Sequence, residues 1–285
     1  MENIKQIVEK RISSRKFTGE DLSVSEIKEI NKIINRKIKT PFGSNFVFKL
    51  IDKNDFHKNK KIKLGTYGFI SNGRYFIVGK SPSEMEAFVD YGYALERVVL
   101  DITAISLGSC WLGGTFNRKK FNETVKLKDG EVIPSVIVTG RAYQKRSIRE
   151  KITRASVKAD QRKDFKELFF EGNFETPFDP GSGKIKEALN MLRLAPSAEN
   201  GQPWRVLSQK NKFSFYLRRK KIIDMVIKKV DLHMVDMGIA MSHFELTLNE
   251  NGIKGFWKKE TNHCKQENLE YIASWVMNND KIFQN

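Results

Sequence analysis

Two arginines and a serine alternate near the start of the chain, in the segment Arg11-Ile12-Ser13-Ser14-Arg15. In an extended segment alternate side chains project from the same side, so Arg11, Ser13 and Arg15 would share one face. Guanidinium groups bind phosphate through bidentate, charge-assisted hydrogen bonds and keep their charge near neutral pH. The spacing therefore fits a phosphate-binding segment, although this weak pattern taken alone favours a solvated basic turn.

Two further segments are rich in small or polar residues. Residues 107–114 read LGSCWLGG, in which small residues would let the backbone approach a planar ligand closely. The alternative, a helix end followed by a turn, explains one glycine better than three around a tryptophan. Residues 195–204 read APSAENGQPW, with two prolines, a glycine, two amides and a serine. A plain connection from a helix to a strand needs fewer such residues, so this turn has polar groups available for a ligand.

The elements that must position these segments follow from hydrophobic periodicity and capping signals. Helices are predicted at 3–12, 24–38, 81–106, 231–249 and 267–277, and a further one carries Ile185, Ala188, Leu189 and Leu192 on one face. Ser23 and Glu26 form a capping box, and Ser81 is the expected N-cap with Pro82 at the first helical position. Strands are predicted at 46–51, 75–78, 135–140, 204–208 and 213–218.

Two of the long predicted helices contain the same pattern, D-x-G-x-A, which starts at Asp90 in one and at Asp236 in the other. The spacing of 146 positions, from residue 90 to residue 236, also aligns Trp111 with Trp257. Chance similarity between two helices is the alternative, but the register favours an internal duplication. Since residues 171–183 are rich in Gly and Pro, we expect two related halves, 1–170 and a shorter 171–285. Such halves usually pack as a pseudo-symmetric dimer, which would place a ligand site at their interface.

Composition restricts the remaining possibilities. The formal net charge of +17 permits nucleic-acid binding, but the basic residues are spread along the chain without a recognisable nucleic-acid-binding motif, which favours a lysine-rich surface. No run of 18 apolar residues suggests a membrane span, and the amphipathic start is unlike a secretion signal. The two cysteines and four histidines show no metal-ligand spacing, so His243 and Cys110 are interpreted as packing residues. We expect a cytoplasmic protein without metal, membrane or nucleic-acid partner.

In their order and spacing, R-x-S-x-R near the start, the long helix leading into LGSCWLGG, and APSAENGQPW together resemble the nitroreductase family of FMN-dependent oxidoreductases. The resemblance extends from Arg11 to Trp257 and is strongest to the branch in which two nitroreductase-like halves are fused in one chain. It implies an α+β fold in which each half has a mixed β-sheet flanked by helices. It also implies an intrachain pseudo-dimer, and hence a monomer, with FMN bound in a cleft between the halves.

The same resemblance assigns roles to the three segments. Arg11, Ser13 and Arg15 would hold the phosphate and ribityl chain of FMN. The isoalloxazine would be lined from one half by Trp111, Leu112, Gly113 and Gly114, and approached from the other half by Pro196, Ser197 and Asn200. A basic residue after the last strand of the first half is expected as well, for which Arg154 is the candidate and Arg146 and Lys151 are alternatives. Residues 40–45, TPFGSN, are a degenerate copy of the APSAENG turn, so one FMN per chain is expected.

The activity implied by the resemblance is ping-pong hydride transfer, in which NAD(P)H reduces the flavin and then leaves. A nitroaromatic, a quinone or a similar electrophile would then be reduced at the same place. No G-x-G-x-x-G fingerprint occurs in the sequence, and none is needed when the reductant binds over the flavin. Two alternatives remain open: a flavin-binding protein without efficient turnover, and a basic nucleic-acid-binding protein on a degenerate scaffold.

Overall fold

The computed structural model describes residues 3–56, 68–114, 116–143, 161–219 and 230–278. The helices are α1 Ile4–Lys10, α2 Val24–Ile34, α3 Met85–Ala104, α4 Arg118–Val125, α5 Phe165–Leu168, α6 Lys184–Arg193 and α7 Leu232–Glu250. The strands are β1 Phe48–Asp52, β2 Tyr75–Gly79, β3 Ser81–Pro82, β4 Gly108–Leu112, β5 Glu131–Val132, β6 Val136–Gly140, β7 Phe169–Glu171, β8 Trp204–Gln209, β9 Lys212–Leu217, β10 Gly255–Lys258 and β11 Glu270–Met277. The fold class is α+β, as the sequence predicted. No helix within these ranges is long and apolar enough to cross a membrane.

Two larger sheets form the framework. The first has the order β1-β2-β6-β4 and is antiparallel throughout, and the second has the order β10-β11-β9-β8-β7. Only the second sheet is mixed, because β7 runs parallel to β8 while its other strands pair antiparallel. The order β1-β2-β6-β4 corresponds strand for strand to β8-β9-β11-β10. Strand β7 lies across the expected boundary at residue 170 and pairs with the second sheet.

Helices α3 and α7, which carry the D-x-G-x-A pattern, cross in direct contact. A Cβ on Gly92 would lie 2.0 Å from the carbonyl oxygen of Val235, and a Cβ on Gly238 would lie 1.8 Å from that of Val89. No side chain fits at either position, so the crossing requires glycine in both helices. The two glycines of the repeat thus have the same packing role.

The helix starts were predicted with mixed success. The capping box of Ser23 and Glu26 is present, although α2 ends at Ile34 rather than near residue 38. The prediction of an N-cap at Ser81 is wrong, because Ser81 and Pro82 are extended and pair with β5, and α3 begins at Met85. A local capping pattern was overridden there by pairing with a strand that lies far along the chain.

Two segments form strands although the sequence predicted a helix for one and a turn for the other. The predicted helix at 267–277 is wrong, since β11 pairs with β9 on one side and β10 on the other. Its aromatic and β-branched residues, which include Ile272, Trp275 and Val276, suit a strand better than a helix. Within LGSCWLGG, residues Gly108–Leu112 form β4 and pair with β6, so the turn begins only after Leu112. The remaining predicted strands are confirmed, with β1 starting at Phe48.

Candidate functional site

The basic segment near the N-terminus lies along the edge of the first sheet, beside β4. Ser13 forms a parallel bridge with Ser109, and the Ser14 amide donates to the Ser109 carbonyl oxygen at 2.8 Å. A Cβ on Gly108 would lie 2.8 Å from the Ser14 hydroxyl oxygen and 2.6 Å from the Ala142 Cβ. Glycine at 108 therefore permits this close approach, and the structure brings the first two sequence motifs together.

Arg11 and Trp111 meet at one carboxylate. Glu96 of α3 is fully buried, and its Oε1 lies 3.9 Å from Nε of Arg11, which is itself 9% exposed. Its Oε2 accepts a hydrogen bond of 2.8 Å from the indole Nε1 of Trp111. Sequence reasoning missed this carboxylate, because its only signal is an acidic residue within a largely apolar helix.

Arg15 provides a direct test of whether a phosphate fits. Its carbonyl oxygen accepts from the Ser71 amide at 2.8 Å, which fixes the backbone of the segment. Its Nη1 is buried and has no hydrogen-bond partner among the described residues. A buried guanidinium nitrogen without an acceptor is costly, and a phosphate oxygen is the kind of acceptor that it lacks. The Arg15 side chain therefore fits an anionic ligand at this edge.

The glycines after β4 face the other half of the chain. A Cβ on Gly113 would lie 2.9 Å from Cδ1 of Leu232, the first residue of α7. The Gly113 carbonyl oxygen accepts from Nη2 of Arg118 at 2.6 Å, and burial lowers the pKa of Arg118 to about 10. Leu112 is buried in the first half, whereas Gly114 is exposed. The end of β4 and the start of α7 thus pack against each other.

The APSAENGQPW turn is anchored on the same helix, one turn further along. The Ala198 amide donates to both carboxylate oxygens of Asp236, at 3.0 and 3.1 Å. Burial raises the pKa of Asp236 well above its ordinary value. Since residues 232 and 236 are one helical turn apart, α7 brings the turn toward Gly113.

The backbone of this turn is strained. Glu199, Asn200 and Gln202 adopt positive φ angles of 50°, 54° and 47°, a region that residues other than glycine rarely occupy. The Ser197 hydroxyl accepts from the Gln202 amide at 2.9 Å and so closes the turn. Strain of this kind persists only where surrounding contacts enforce it, and it concentrates at ligand sites.

Three residues that precede α5 provide such contacts. The Asn200 side-chain amide donates to the Gln161 carbonyl oxygen at 2.8 Å, and its oxygen accepts from Arg162 at 3.1 Å. The Lys163 amide donates to Oε1 of Gln202 at 2.9 Å. In the structure the Ser197 and Asn200 side chains hold the turn in shape, and their contact with a ligand stays a prediction. The contact between Asn200 and Gln161 joins residues 39 positions apart. No local sequence pattern indicates a contact over such a distance.

The remaining predicted site residues divide into two groups. Pro196 and Ser13 are half-buried and lie on the two motifs described above. Arg154 and its alternatives Arg146 and Lys151 lie outside the described residues. The interpretation of His243 as a packing residue is consistent with its complete burial, and the described part of the chain has no cluster of potential metal ligands.

Comparisons with known proteins identify the family and the fold. The model of a family described as "Putative TM nitroreductase" matches residues 3–248. A solved structure from Thermotoga maritima, described as "a putative nitroreductase", matches with a TM-score of 0.62 and 21% identity, covering 98% of this chain and 95% of that one. This likeness shows a shared fold over nearly the whole chain.

Other solved structures match less of the chain. An "FMN-dependent Nitroreductase" from Clostridium difficile has a TM-score of 0.40 and 17% identity over 50% of this chain and 88% of that one. A nitroreductase family protein from Clostridium novyi has a TM-score of 0.40 and 19% identity over 62% and 97%. No curated protein matches the sequence. On the extent of the family match, the chain belongs to the nitroreductase-type family of oxidoreductases whose model is described as "Putative TM nitroreductase".

Proposed function

We propose that the chain is an FMN-dependent oxidoreductase that takes reducing equivalents from NAD(P)H and reduces nitroaromatics, quinones or similar electrophiles by ping-pong hydride transfer. The observation that carries the proposal is the buried Nη1 of Arg15, which has no acceptor among the described residues and lies on a segment bridged to β4. A phosphate would satisfy it, and the nearby motifs fit the rest of a flavin.

Each motif would bind one part of the cofactor. Arg11, Ser13 and Arg15 would hold the phosphate and ribityl chain, because two guanidinium groups and a hydroxyl suit a phosphate dianion. Gly113 and Gly114 have no side chains, so the backbone after β4 can approach a flat ring. Ser197 and Asn200 would approach from the second half, on a turn whose strained geometry is fixed in advance of binding.

FMN, when bound, supplies the hydride acceptor and donor, and the protein contributes orientation and electrostatics. The positive charges of Arg11 and Arg15 bind the anionic cofactor, and backbone amides near the ring edge would stabilise negative charge that develops on it. No separate nucleotide-binding fold is required for NAD(P)H, which would occupy the same place as the electrophile in turn.

We also propose that the site arises from an internal duplication, with halves 1–170 and 171–285. The matching strand orders and the two glycine-mediated contacts between α3 and α7 support this proposal. Since β7 lies at the junction and joins the second sheet, the first half would contribute its last residues to the sheet of the second. A single chain would then contain both sides of the cleft and act as a monomer.

The experiment that tests the function uses purified full-length protein. We expect flavin absorbance after loading with FMN, bleaching by NADH or NADPH under anaerobic conditions, and recovery when a nitroaromatic or quinone is added. Bleaching without recovery would instead identify a flavin-binding protein that does not turn over. Protein that stays colourless with excess FMN, and that binds nucleic acid in a salt-dependent manner, would overturn the proposal.

A further inference from the structure

A buried polar cluster centred on Glu96 joins the two halves next to the proposed flavin site. Beyond Arg11 and Trp111, Glu96 contacts His243 of α7, with 2.8 Å between Oε1 and Nε2. His243 is also fully buried, and its Nδ1 lies 3.0 Å from the Met191 carbonyl oxygen. The Glu96 carboxylate is therefore in contact with two basic side chains, Arg11 near the N-terminus and His243 on α7.

The hydrogen bonds restrict where the protons lie. A carbonyl oxygen only accepts, so Nδ1 of His243 carries a proton. Nε2 then either donates to an ionised Glu96 or accepts from a protonated one. Glu96 thus lies between two basic side chains, Arg11 and His243, and accepts a further hydrogen bond from the Trp111 indole. Buried charges of this kind are stable only as a set, since removing one leaves another unpaired.

A similar cluster exists around Glu245, which lies three residues beyond Ser242, the position that the spacing of 146 aligns with Glu96. Its Oε2 accepts from Nε1 of Trp257 at 2.6 Å, and its Oε1 lies 3.4 Å from Nη2 of Arg97. Trp257 occupies the position of Trp111 in the repeat, and residue 97 corresponds to residue 243 at the same spacing of 146. Each glutamate thus accepts from the tryptophan of its own half and contacts a basic residue of the other half.

The two clusters differ in burial and in their neighbours: the Glu96 side chain is fully buried, whereas Glu245 is partly exposed and also accepts hydrogen bonds from Tyr93 and Asn249. Glu96 has Arg11 beside it, on the R-x-S-x-R segment, whereas residues 171–285 contain no such segment. The 3.9 Å between Nε of Arg11 and Glu96 is an ion-pair contact rather than a hydrogen bond, so the carboxylate attracts the guanidinium toward α3 by charge. The same carboxylate fixes the rotation of the Trp111 indole through its N–H. Only the cluster around Glu96 can therefore orient residues of the proposed site.

We propose that Glu96 is a positioning residue that orients Arg11 toward the phosphate of FMN and Trp111 toward its ring, with His243 as its hydrogen-bond partner from the other half. This proposal rests on the proposed flavin function. It assigns the Glu96–His243 contact a purpose beyond packing, because the orientation of the phosphate-binding group would then depend on both halves being in place.

The test measures the dissociation constants of FMN and of riboflavin, which lacks the phosphate, for the parent and two variants. The ratio of the riboflavin Kd to the FMN Kd is the phosphate preference. We expect Glu96→Gln to raise the FMN Kd about tenfold and the riboflavin Kd about threefold, so that the phosphate preference falls. Glu245→Gln, the matched control, breaks the equivalent contacts and should leave both constants within about twofold of the parent.

The outcomes separate three cases. An unchanged phosphate preference in Glu96→Gln overturns the proposal, as does an equal loss in both variants, which would indicate a packing role only. A parent that binds neither ligand overturns the flavin function itself. If Glu96→Gln does not fold, Glu96→Asp keeps the charge but withdraws it by one methylene. For that variant we expect about a threefold loss of phosphate preference, and no loss would overturn the proposal.

Discussion

Gly113 and Lys259 occupy the same position in the two halves, because each lies two residues beyond a tryptophan of the repeat. Gly113 faces Leu232 at the start of α7, while Lys259 forms an ion pair with Glu86 at the start of α3. Residues 86 and 232 are themselves separated by the repeat spacing of 146. Lys259 also lies 5.9 Å above the ring of Phe42, in the degenerate copy of the turn. An exposed pair of charged side chains thus lies in the second half at the position where the first half has Gly113 packed against Leu232.

The anchoring of the two turns, by contrast, is the same. Asp90 accepts from the Phe42 and Ser44 amides, each at 2.9 Å, as Asp236 accepts from Ala198. Burial raises the pKa of Asp90, as it does that of Asp236. The aspartates and glycines of the D-x-G-x-A pattern therefore have structural roles, because Asp90 and Asp236 each anchor a turn and Gly92 and Gly238 each allow α3 and α7 to cross.

Backbone strain distinguishes the turns as well. The turn at 195–204 has positive φ at Glu199, Asn200 and Gln202, whereas in the turn at 40–45 only Gly43 has one, at 87°. Glycine adopts this conformation without steric cost, and the other residues do not. The turn at 40–45 is therefore relaxed, and the turn at 195–204, which belongs to the proposed flavin site, is strained.

The largest expected effect comes from the contact between helices α3 and α7, in which each helix has a glycine. Gly238→Ala places a Cβ against the Val89 carbonyl oxygen and should separate α3 from α7, which lowers the free energy of unfolding by about 3 kcal/mol. Urea unfolding followed by circular dichroism measures the change. Lys32→Ala, on the exposed face of α2, is the control and should change it by less than about 0.5 kcal/mol. Equal stability of the two variants would show that the helices do not need this contact.

The next prediction exchanges the residues that distinguish the clefts. Gly113→Lys should raise the FMN Kd about a hundredfold, because a lysine side chain would displace Leu232 and place a bulky charged group beside the proposed position of the ring. Lys259→Gly removes an exposed ion pair, costs less than about 1 kcal/mol in stability, and should leave the FMN Kd unchanged. Fluorescence titration of FMN measures both constants, with circular dichroism to establish that each variant is folded.

Two results of that exchange would contradict the comparison. Gly113→Lys with the affinity of the parent would mean that the flavin does not lie beside β4. Lys259→Gly with a large loss of affinity would mean that the second cleft, rather than the first, binds the cofactor. A parent that binds one FMN per chain, and a Lys259→Gly variant that binds no more than one, agree with the absence of R-x-S-x-R from residues 171–285.

The sequence predicted most of the elements that determine this comparison, because they depend on local patterns. The D-x-G-x-A helices α3 and α7 and the capping box of α2 are recognisable from residues a few positions apart. Strand β11 was missed, since its conformation is decided by pairing with β9 and β10 rather than by its own periodicity. An isolated segment contains no information about the strands that will flank it.

The candidate site was predictable as a set of motifs but not as a set of contacts. Sequence spacing identified Arg11, Trp111 and Asn200 without indicating what holds each of them. Glu96 pairs with His243 across 147 positions, and Arg162 reaches Asn200 across 38. Contacts between elements that are distant in sequence arise from the tertiary fold, so the structure was needed to find the positioning residues.

The smallest expected effect tests the strain in the two turns. Glu199→Gly should raise the free energy of unfolding by about 0.5 kcal/mol, since relief of the left-handed conformation slightly exceeds the added entropy of a glycine in the unfolded chain. Gly43→Ala, at a φ of 87° with no atom within 4 Å of the new Cβ, should lower it by about 1 kcal/mol through backbone strain alone. Differential scanning calorimetry of both variants gives the comparison. If Glu199→Gly lowers the stability, the contacts of the Glu199 side chain outweigh the strain, and the turn is held by its side chains rather than kept under tension for a ligand.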